Sequence, residues 1–157
     1  MQPYGPAVLR LVVGTVFVAH GAQKLFGLWG GGGLAGTATF LAQLGLAPAY
    51  PLAVAAAVVE FGGGLLLLAG ALTFFAALAL ALDMAVATWK VHLANGFFIN
   101  WALAPGQGHG YEFNLTLIGA LIALMLTGPG EFSIDGRRAR SAEYKAYSRA
   151  RVLARKV

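Results

Sequence analysis

Four long apolar stretches fill most of this 157-residue chain, and each approaches the length that a helix needs to cross a membrane. Only 11% of the residues are charged, against roughly 25% in soluble domains. The few charges inside the stretches are informative, because an ionised side chain in hydrocarbon is costly unless it pairs or lines a site. The sequence therefore predicts an all-α integral membrane protein with a polar interior.

Glycine and proline set the limits of the four spans. The segment Gly27–Gly36 is a glycine-rich break. The apolar piece 37–46 that follows it is too short to cross, so we interpret it as an interfacial or re-entrant helix. Gly70 divides an apolar run of about two span lengths into two helices, and Pro129 stops the last one. The predicted spans are residues 7–26, 51–69, 72–93 and 112–127.

The basic residues are concentrated behind the last span, in a tail over residues 136–157 that follows the four-helix domain 1–135. Eight of the eleven Lys and Arg residues follow Ser133, a distribution that marks the cytoplasmic side. Both termini are therefore predicted to be cytoplasmic, and the loops 27–50 and 95–110 to face outward. The tail is predicted to form a basic amphipathic helix that lies on the membrane surface or docks a cytoplasmic partner. Its apolar residues at helical spacing are Tyr147, Ala150, Leu153, Ala154 and Val157.

Several functional classes are excluded or disfavoured by the sequence. The chain has no cysteine, which excludes thiol–disulfide chemistry and cysteine-ligated iron–sulfur clusters. No His-x-x-x-His or Glu-x-x-His spacing indicates a metal site, and no nucleotide-binding glycine pattern follows a predicted strand. The tail lacks a recognisable nucleic-acid-binding fold. The first apolar stretch contains Arg10, His20 and Lys24, so we expect it to be retained rather than cleaved as a signal peptide.

The polar residues of the spans converge on one zone of the predicted bundle. His20, Gln23 and Lys24 share a helical face, because they are three and four residues apart. Glu60 follows a stripe of alanines, with glycines behind it, that lets helices approach closely. The predicted depths of these residues in the membrane place them in the outer half of the bundle, where we expect them to form a polar pocket. Its predicted members are His20, Gln23, Lys24, Glu60, Asp83, Lys90, Glu112 and Asn114.

Several sequence blocks resemble those of the DoxX family: HGAQKLFG (20–27), VVEFGGGLLLLAG (58–70), KVHLANGFF (90–98), GYEFNL (110–115) and GPGEFSID (128–135). The resemblance implies a four-helix protein of the bacterial inner membrane. Family members look like small subunits of membrane redox systems. One branch is similar to the small subunit of a thiosulfate:quinone oxidoreductase, and another to an anchor that assembles a superoxide dismutase with a sulfurtransferase.

Each candidate residue has a functional and a structural interpretation. His20 and Glu60 are the predicted catalytic groups, which would exchange protons with a quinone, while the other pocket members would bind it. Alternatively, Glu60 staples two helices through His20 or Lys24. Asp83 and Lys90 are interpreted mainly as a structural charge network. Glu112 and Asn114 form either a cap for the fourth span or a ligand contact.

Three hypotheses about function remain open from the sequence. The first is a membrane subunit of an oxidoreductase complex that binds a quinone-like amphiphile, with electrons supplied by a partner or substrate. The second is a non-catalytic anchor that recruits oxidative-stress or sulfur-metabolism enzymes. The third is a small-molecule or ion carrier. Membrane lipid, other protein subunits and a second copy of the chain are the expected partners, and nucleic acid is not.

Overall fold

The computed structural model describes residues 4–154, and within that range the chain consists of helices and loops without a strand. Six α-helices follow one another, and the fourth continues through a π-helical turn over Thr88–His92 and a 3₁₀ turn over Leu93–Asn95. The helices are α1 (Tyr4–Phe26), α2 (Gly33–Gln43), α3 (Ala49–Ala69), α4 (Thr73–Ala87), α5 (Glu112–Thr127) and α6 (Ile134–Ala154).

Three helical segments are long and apolar enough to cross a membrane, and this confirms the predicted class of all-α membrane protein. They are α1, α3 and α4 with its two terminal turns, of 23, 21 and 23 residues. The fourth predicted span corresponds to α5, an apolar helix of 16 residues. At a rise of 1.5 Å per residue it extends over about 24 Å, so a fourth crossing stays a prediction.

The turn between α3 and α4 lies where the sequence predicted it. Gly70 has a φ of +62°, and its amide donates to the Leu67 carbonyl at 3.0 Å. Only glycine adopts this left-handed conformation without strain. The predicted interfacial piece 37–46 overlaps α2, which has 11 residues and begins earlier, at Gly33.

The closest helix pair is α1 with α3, and glycines permit the close approach. A Cβ atom on Gly21 would lie 2.3 Å from the backbone nitrogen of Phe61. On the facing helix, a Cβ atom on Gly64 would lie 2.7 Å from the backbone nitrogen of Val18. No side chain fits at either position, so the two backbones contact each other directly.

The hydrophobic core lies between α1, α4 and α5, and Leu67 of α3 is buried in it. Phe17 is its largest buried side chain on α1, and Leu80 and Leu121 are fully buried opposite it on α4 and α5. The outer surfaces of the same helices expose large apolar residues, among them Leu82 at 61% and Leu126 at 81% exposure. Apolar residues both inside and outside are expected of a bundle whose solvent is lipid.

Arg10 holds one end of the bundle together. The side chain is 1% exposed, and all five of its N–H groups donate to backbone carbonyls, so the buried charge is fully hydrogen-bonded. Among residues 4–154 no carboxylate pairs with it. The sequence analysis did not assign this role to Arg10. The accepting carbonyls belong to Leu67 (3.0 Å) and Leu68 on α3, and to Pro129 (2.9 Å), Glu131 (3.0 Å) and Phe132 (2.8 Å) after α5.

Asp135 closes the same end by capping α4. Its carboxylate accepts hydrogen bonds from the amides of Leu72 (3.1 Å) and Thr73 (2.9 Å) and from the Thr73 hydroxyl (3.0 Å). A carboxylate here satisfies the free N–H groups of the helix start. The start of α1, the Gly70 turn and the segment after α5 therefore meet at one end, and the two long connections lie at the other.

Helix α6 leaves this end as a basic, solvent-exposed element. Residues 137–147 are all exposed, and the only ion pair found there within the described chain joins Arg140 to Glu131 at 3.4 Å. The predicted apolar face of the tail includes Ala150, Leu153 and Val157, whose side chains lie outside the described part of the structure. The amphipathic character of the tail therefore stays a prediction.

Candidate functional site

Two cavities lie side by side near the end of the bundle that carries the long connections. The first, which we call the histidine cavity, measures about 510 Å³ and is lined by His20, His92 and His109 among mainly apolar residues. The second, which we call the acid cavity, measures about 610 Å³, lies between α2, α3 and α4, and contains Asp83. Lys24 and Glu60 line both cavities, so these two side chains form part of the shared wall.

The shared wall contains an ion pair between α1 and α3. The ammonium of Lys24 donates to Oε1 of Glu60, which answers the question of whether His20 or Lys24 pairs with this acid. Glu60 is 2% exposed, whereas the Lys24 side chain is 33% exposed. The second carboxylate oxygen, Oε2, is buried and has no hydrogen-bond partner among residues 4–154. Such an unsatisfied buried acceptor requires a functional or structural reason.

A second carboxyl group lies beside Glu60. Asp83 on α4 interacts with both Glu60 and Lys24 from the acid cavity. Two carboxyl groups therefore interact with one ammonium. Lys90 lines the same cavity, and its ammonium lies 3.8 Å from the centre of the Trp89 ring.

His92 occupies a defined position between the two cavities, which it lines on both sides. Its Nδ1 atom lies 2.8 Å from the backbone oxygen of His109. A carbonyl oxygen only accepts, so Nδ1 carries a proton and donates it to this oxygen. The pocket predicted from the sequence, which assumed α-helical spacing, did not include His92. The π-helical turn over Thr88–His92 changes that spacing, and such turns are frequent at functional sites.

The remaining predicted residues are divided between the cavities and the loops. His20 and Asn114 line the histidine cavity, and the amide nitrogen of Asn114 lies 3.9 Å from the sulfur of Met84. Gln23 instead donates to the Trp29 carbonyl at 3.4 Å. Glu112 accepts from the amide of Ile99 at 2.9 Å and so fixes the loop before α5.

Among residues 4–154, no group of three or more His, Cys, Asp and Glu side chains is placed to hold a metal ion. The three histidines of the histidine cavity come from α1, the π-helical turn and the loop before α5. Sequence reasoning did not assign His109 to the site. Its backbone oxygen, rather than its side chain, makes the described contact with His92, and the sequence gives no signal for that.

The sequence profile of one protein family, DoxX, matches residues 5–93, which is more than half of the chain. The chain belongs to the DoxX family. The matched part of this DoxX protein contains Lys24, Glu60, Asp83 and His92, whereas the loop with His109 and helix α5 lie beyond it.

Relatives of this DoxX protein extend the similarity over most of the chain. It is 31% identical to the inner membrane protein YqjF of Escherichia coli, over 86% of this chain and 92% of the relative. It is 34% identical to the membrane protein Rv3486 of Mycobacterium tuberculosis, over 85% of this chain and 81% of the relative. A Haemophilus influenzae protein is 29% identical over 87% and 92% of the two chains. No solved structure matches this DoxX protein.

Proposed function

We propose that this protein is an inner-membrane subunit of a redox complex and binds a quinone-like amphiphile in the histidine cavity. The observation that carries the proposal is the character of this cavity. A volume of about 510 Å³ lies within the range of roughly 300–1,000 Å³ that is typical of small-molecule pockets. Its walls are mainly apolar, with a few polar groups gathered at His20, His92 and Asn114. Such a lining suits an amphiphile with an apolar ring and two polar oxygens.

The residues of the cavity would have distinct roles toward this ligand. His20, His92 and Asn114 would hold the ring oxygens, while Phe17 and Leu117 contact the ring faces or the tail. Glu60 would exchange a proton with the bound molecule, because it lines the cavity and interacts with the Asp83 carboxyl. A quinone would supply reversible two-electron chemistry when bound. The electrons would come from a partner subunit or a substrate.

The proposed location is the inner membrane with both termini in the cytoplasm. Eight of the eleven basic residues follow Ser133. The segment just before them is hydrogen-bonded to Arg10, so this basic segment begins at the end of the bundle where Arg10 is buried. The similarity to an inner membrane protein of E. coli supports the same membrane. The two cavities then lie in the outer half of the bundle, at the opposite end from Arg10.

Co-purification tests the proposal directly. The full chain is purified from bacterial membranes in a mild detergent, and bound small molecules are identified by mass spectrometry. Glu60→Gln and His20→Ala are compared with Glu143→Gln, a control that changes an exposed acid on α6. We expect a stoichiometric quinone in the wild type and in the control, and its loss from the two cavity variants while they remain monodisperse. A wild-type preparation that carries only bulk lipid would count against the proposal.

A second candidate function, a membrane anchor for soluble enzymes, is favoured by α6. This helix exposes every residue from 137 to 147 and carries most of the positive charge of the chain. Deletion of residues 137–157 separates the two functions. An anchor would lose its soluble partners on this deletion while any quinone stayed bound. A redox subunit that contacts its partner proteins through other surfaces would keep both these partners and the bound quinone.

A further inference from the structure

One face of α6 combines positive charge with exposed aromatic rings. Arg140, Tyr144, Tyr147 and Arg151 follow one another at intervals of four, three and four residues, so they lie along one line of the helix, which we call the Arg–Tyr face. We propose that the Arg–Tyr face binds the headgroups of anionic phospholipids at the cytoplasmic surface of the membrane. The face is separate from both cavities, so this binding is independent of the proposed quinone site.

The side chains of the Arg–Tyr face are accessible to a partner. Tyr144 is 73% exposed and Tyr147 is 66% exposed, and Arg140 and Arg151 are exposed as well. Arg140 contacts Glu131 at 3.4 Å, but solvent reaches both side chains, and an ion pair of this kind contributes little. Two aromatic rings and two guanidinium groups therefore face the surroundings of the protein.

The charge of the tail favours an anionic partner. After Asp135 the chain has eight basic residues and one acidic residue, Glu143. Clusters of roughly four to eight Lys and Arg residues that directly follow a membrane helix attract anionic lipids. The guanidinium groups of arginine also suit phosphate oxygens, because the planar group donates two hydrogen bonds in parallel.

The first turn of α6 is fixed at the end of the bundle, beside exposed aromatic rings. Asp135 accepts a hydrogen bond from the Thr73 amide at 2.9 Å, which ties this turn to the start of α4. The exposed rings of Tyr4 and Phe132 lie 6.2 Å apart at the same end, and aromatic side chains of this kind are typical of the membrane interface. Arg140 comes only about 9 Å of helix after the start of α6, so it lies within reach of the headgroup layer.

A membrane surface matches the composition and the length of the Arg–Tyr face. Tyrosine is enriched at the level of the headgroups, because its ring is apolar and its hydroxyl is polar. The four residues extend over about 17 Å of helix, so a flat layer of headgroups can contact all of them at once. In the proposed orientation this layer belongs to the cytoplasmic leaflet, whose anionic lipids give it a negative surface potential.

Proteolysis of the full chain in lipid nanodiscs tests the proposal. Discs of phosphatidylcholine are compared with discs that also contain anionic phosphatidylglycerol. Chymotrypsin cleaves after Tyr144 and Tyr147, mass spectrometry measures the shortened chain, and a soluble peptide in the same sample reports the activity of the protease itself. At low salt concentration we expect cleavage to be at least about fivefold slower in the anionic discs, and we expect high salt concentration to remove the difference. Equal cleavage in the two kinds of disc at low salt concentration would overturn the proposal.

Two double variants with the same loss of charge distinguish the Arg–Tyr face from the total charge of the tail. Arg140→Gln with Arg151→Gln removes two charges from the face, whereas Arg138→Gln with Lys145→Gln removes two exposed charges from the other side of α6. Neither double variant changes a tyrosine at which chymotrypsin cleaves.

We expect the first double variant to lose most of the protection in anionic discs and the second to keep most of it. The readout is the ratio of the cleavage rates in the two kinds of disc, because a substitution that only loosens α6 accelerates cleavage in both. Equal loss of protection in the two double variants would overturn the assignment to the Arg–Tyr face, since the total charge would then determine binding.

Discussion

The ammonium of Lys24 donates to the carboxylate of Glu60, and this contact joins α1 to α3 at the wall between the two cavities. The pair therefore joins two helices and also lines the cavities in which a ligand would bind. Asp83 interacts with both members of the pair, so any change at this pair alters the charge that the two cavities contain. The predictions that follow separate structural effects from functional ones.

Removal of one member of the Lys24–Glu60 pair should destabilise the bundle. Loss of a buried partner costs roughly 3–5 kcal/mol, and partial solvent access to Lys24 lowers this to about 1–3 kcal/mol for Lys24→Met. The double variant Lys24→Met with Glu60→Gln should recover at least half of the loss, because the Glu60 carboxylate is then no longer buried without its cation. Unfolding in detergent, monitored by circular dichroism, gives the double-mutant cycle. Strictly additive losses would show that the two residues do not interact.

Substitution of Arg10 by lysine should destabilise the protein although the charge is kept. The guanidinium satisfies five carbonyls, and an ammonium has only three donors. Each unsatisfied buried acceptor costs about 1–3 kcal/mol, so we expect a loss of at least about 2 kcal/mol. Arg138→Lys is the matched control, because Arg138 is exposed on α6. Equal unfolding midpoints for the two variants would contradict the assigned role of Arg10.

Enlargement of Gly64 should disturb the contact between α1 and α3. A methyl group there would lie 2.7 Å from the Val18 nitrogen, and overpacking of this kind costs about 1–3 kcal/mol. Gly62→Ala is the control on the same helix, since a Cβ atom at Gly62 has no neighbour within 4 Å. The control should stay within about 1 kcal/mol of the wild type. Thermal unfolding of both alanine variants in one detergent makes the comparison, and a stable Gly64→Ala protein would argue against direct backbone contact.

Stability should decrease in acid through Asp135. Partial burial by itself raises the pKa of this carboxyl. The hydrogen bonds from the amide and hydroxyl of Thr73 and from the amide of Leu72 lower the pKa, and so does the Arg138 charge. The lowering effects are larger, so the pKa lies below its ordinary value. The contribution is therefore complete above the unfolded pKa of about 3.9 and is lost as the pH falls through the lower folded pKa.

The variant Asp135→Asn should lose about 1 kcal/mol at pH 7, because an amide has one acceptor oxygen where the carboxylate uses two. It should also show a weaker acid dependence than the wild type. Unfolding midpoints between pH 7 and pH 3 measure both effects. Glu143→Gln, at an exposed position on the same helix, is the control. An unchanged acid dependence in Asp135→Asn would rule out Asp135 as its source.

The sequence contained much of the fold and part of the site. The turn was predicted at Gly70 because an apolar run of two span lengths is too long for one membrane-spanning helix. The structure confirms this position, where Gly70 ends α3 with a φ of +62°. The convergence of Lys24 and Glu60 was predictable, since a buried acid needs a partner at the same depth. The sequence did not distinguish Lys24 from His20 as the partner of Glu60, because helical spacing does not fix the rotation of one helix relative to its neighbour.

The sequence alone determined that the protein is helical and lies in a membrane, because these properties depend on composition and on the length of the apolar segments. It also determined where the helices end, because glycine and proline have special backbone conformations. The tertiary structure alone decided the roles of Arg10 and His92. Arg10 binds carbonyls that follow it by 57 to 122 residues, and His92 is oriented by a backbone oxygen 17 residues away across a π-helical turn. Backbone acceptors have no signature in a sequence, because every residue carries one, so only the folded chain selects which of them a side chain will meet.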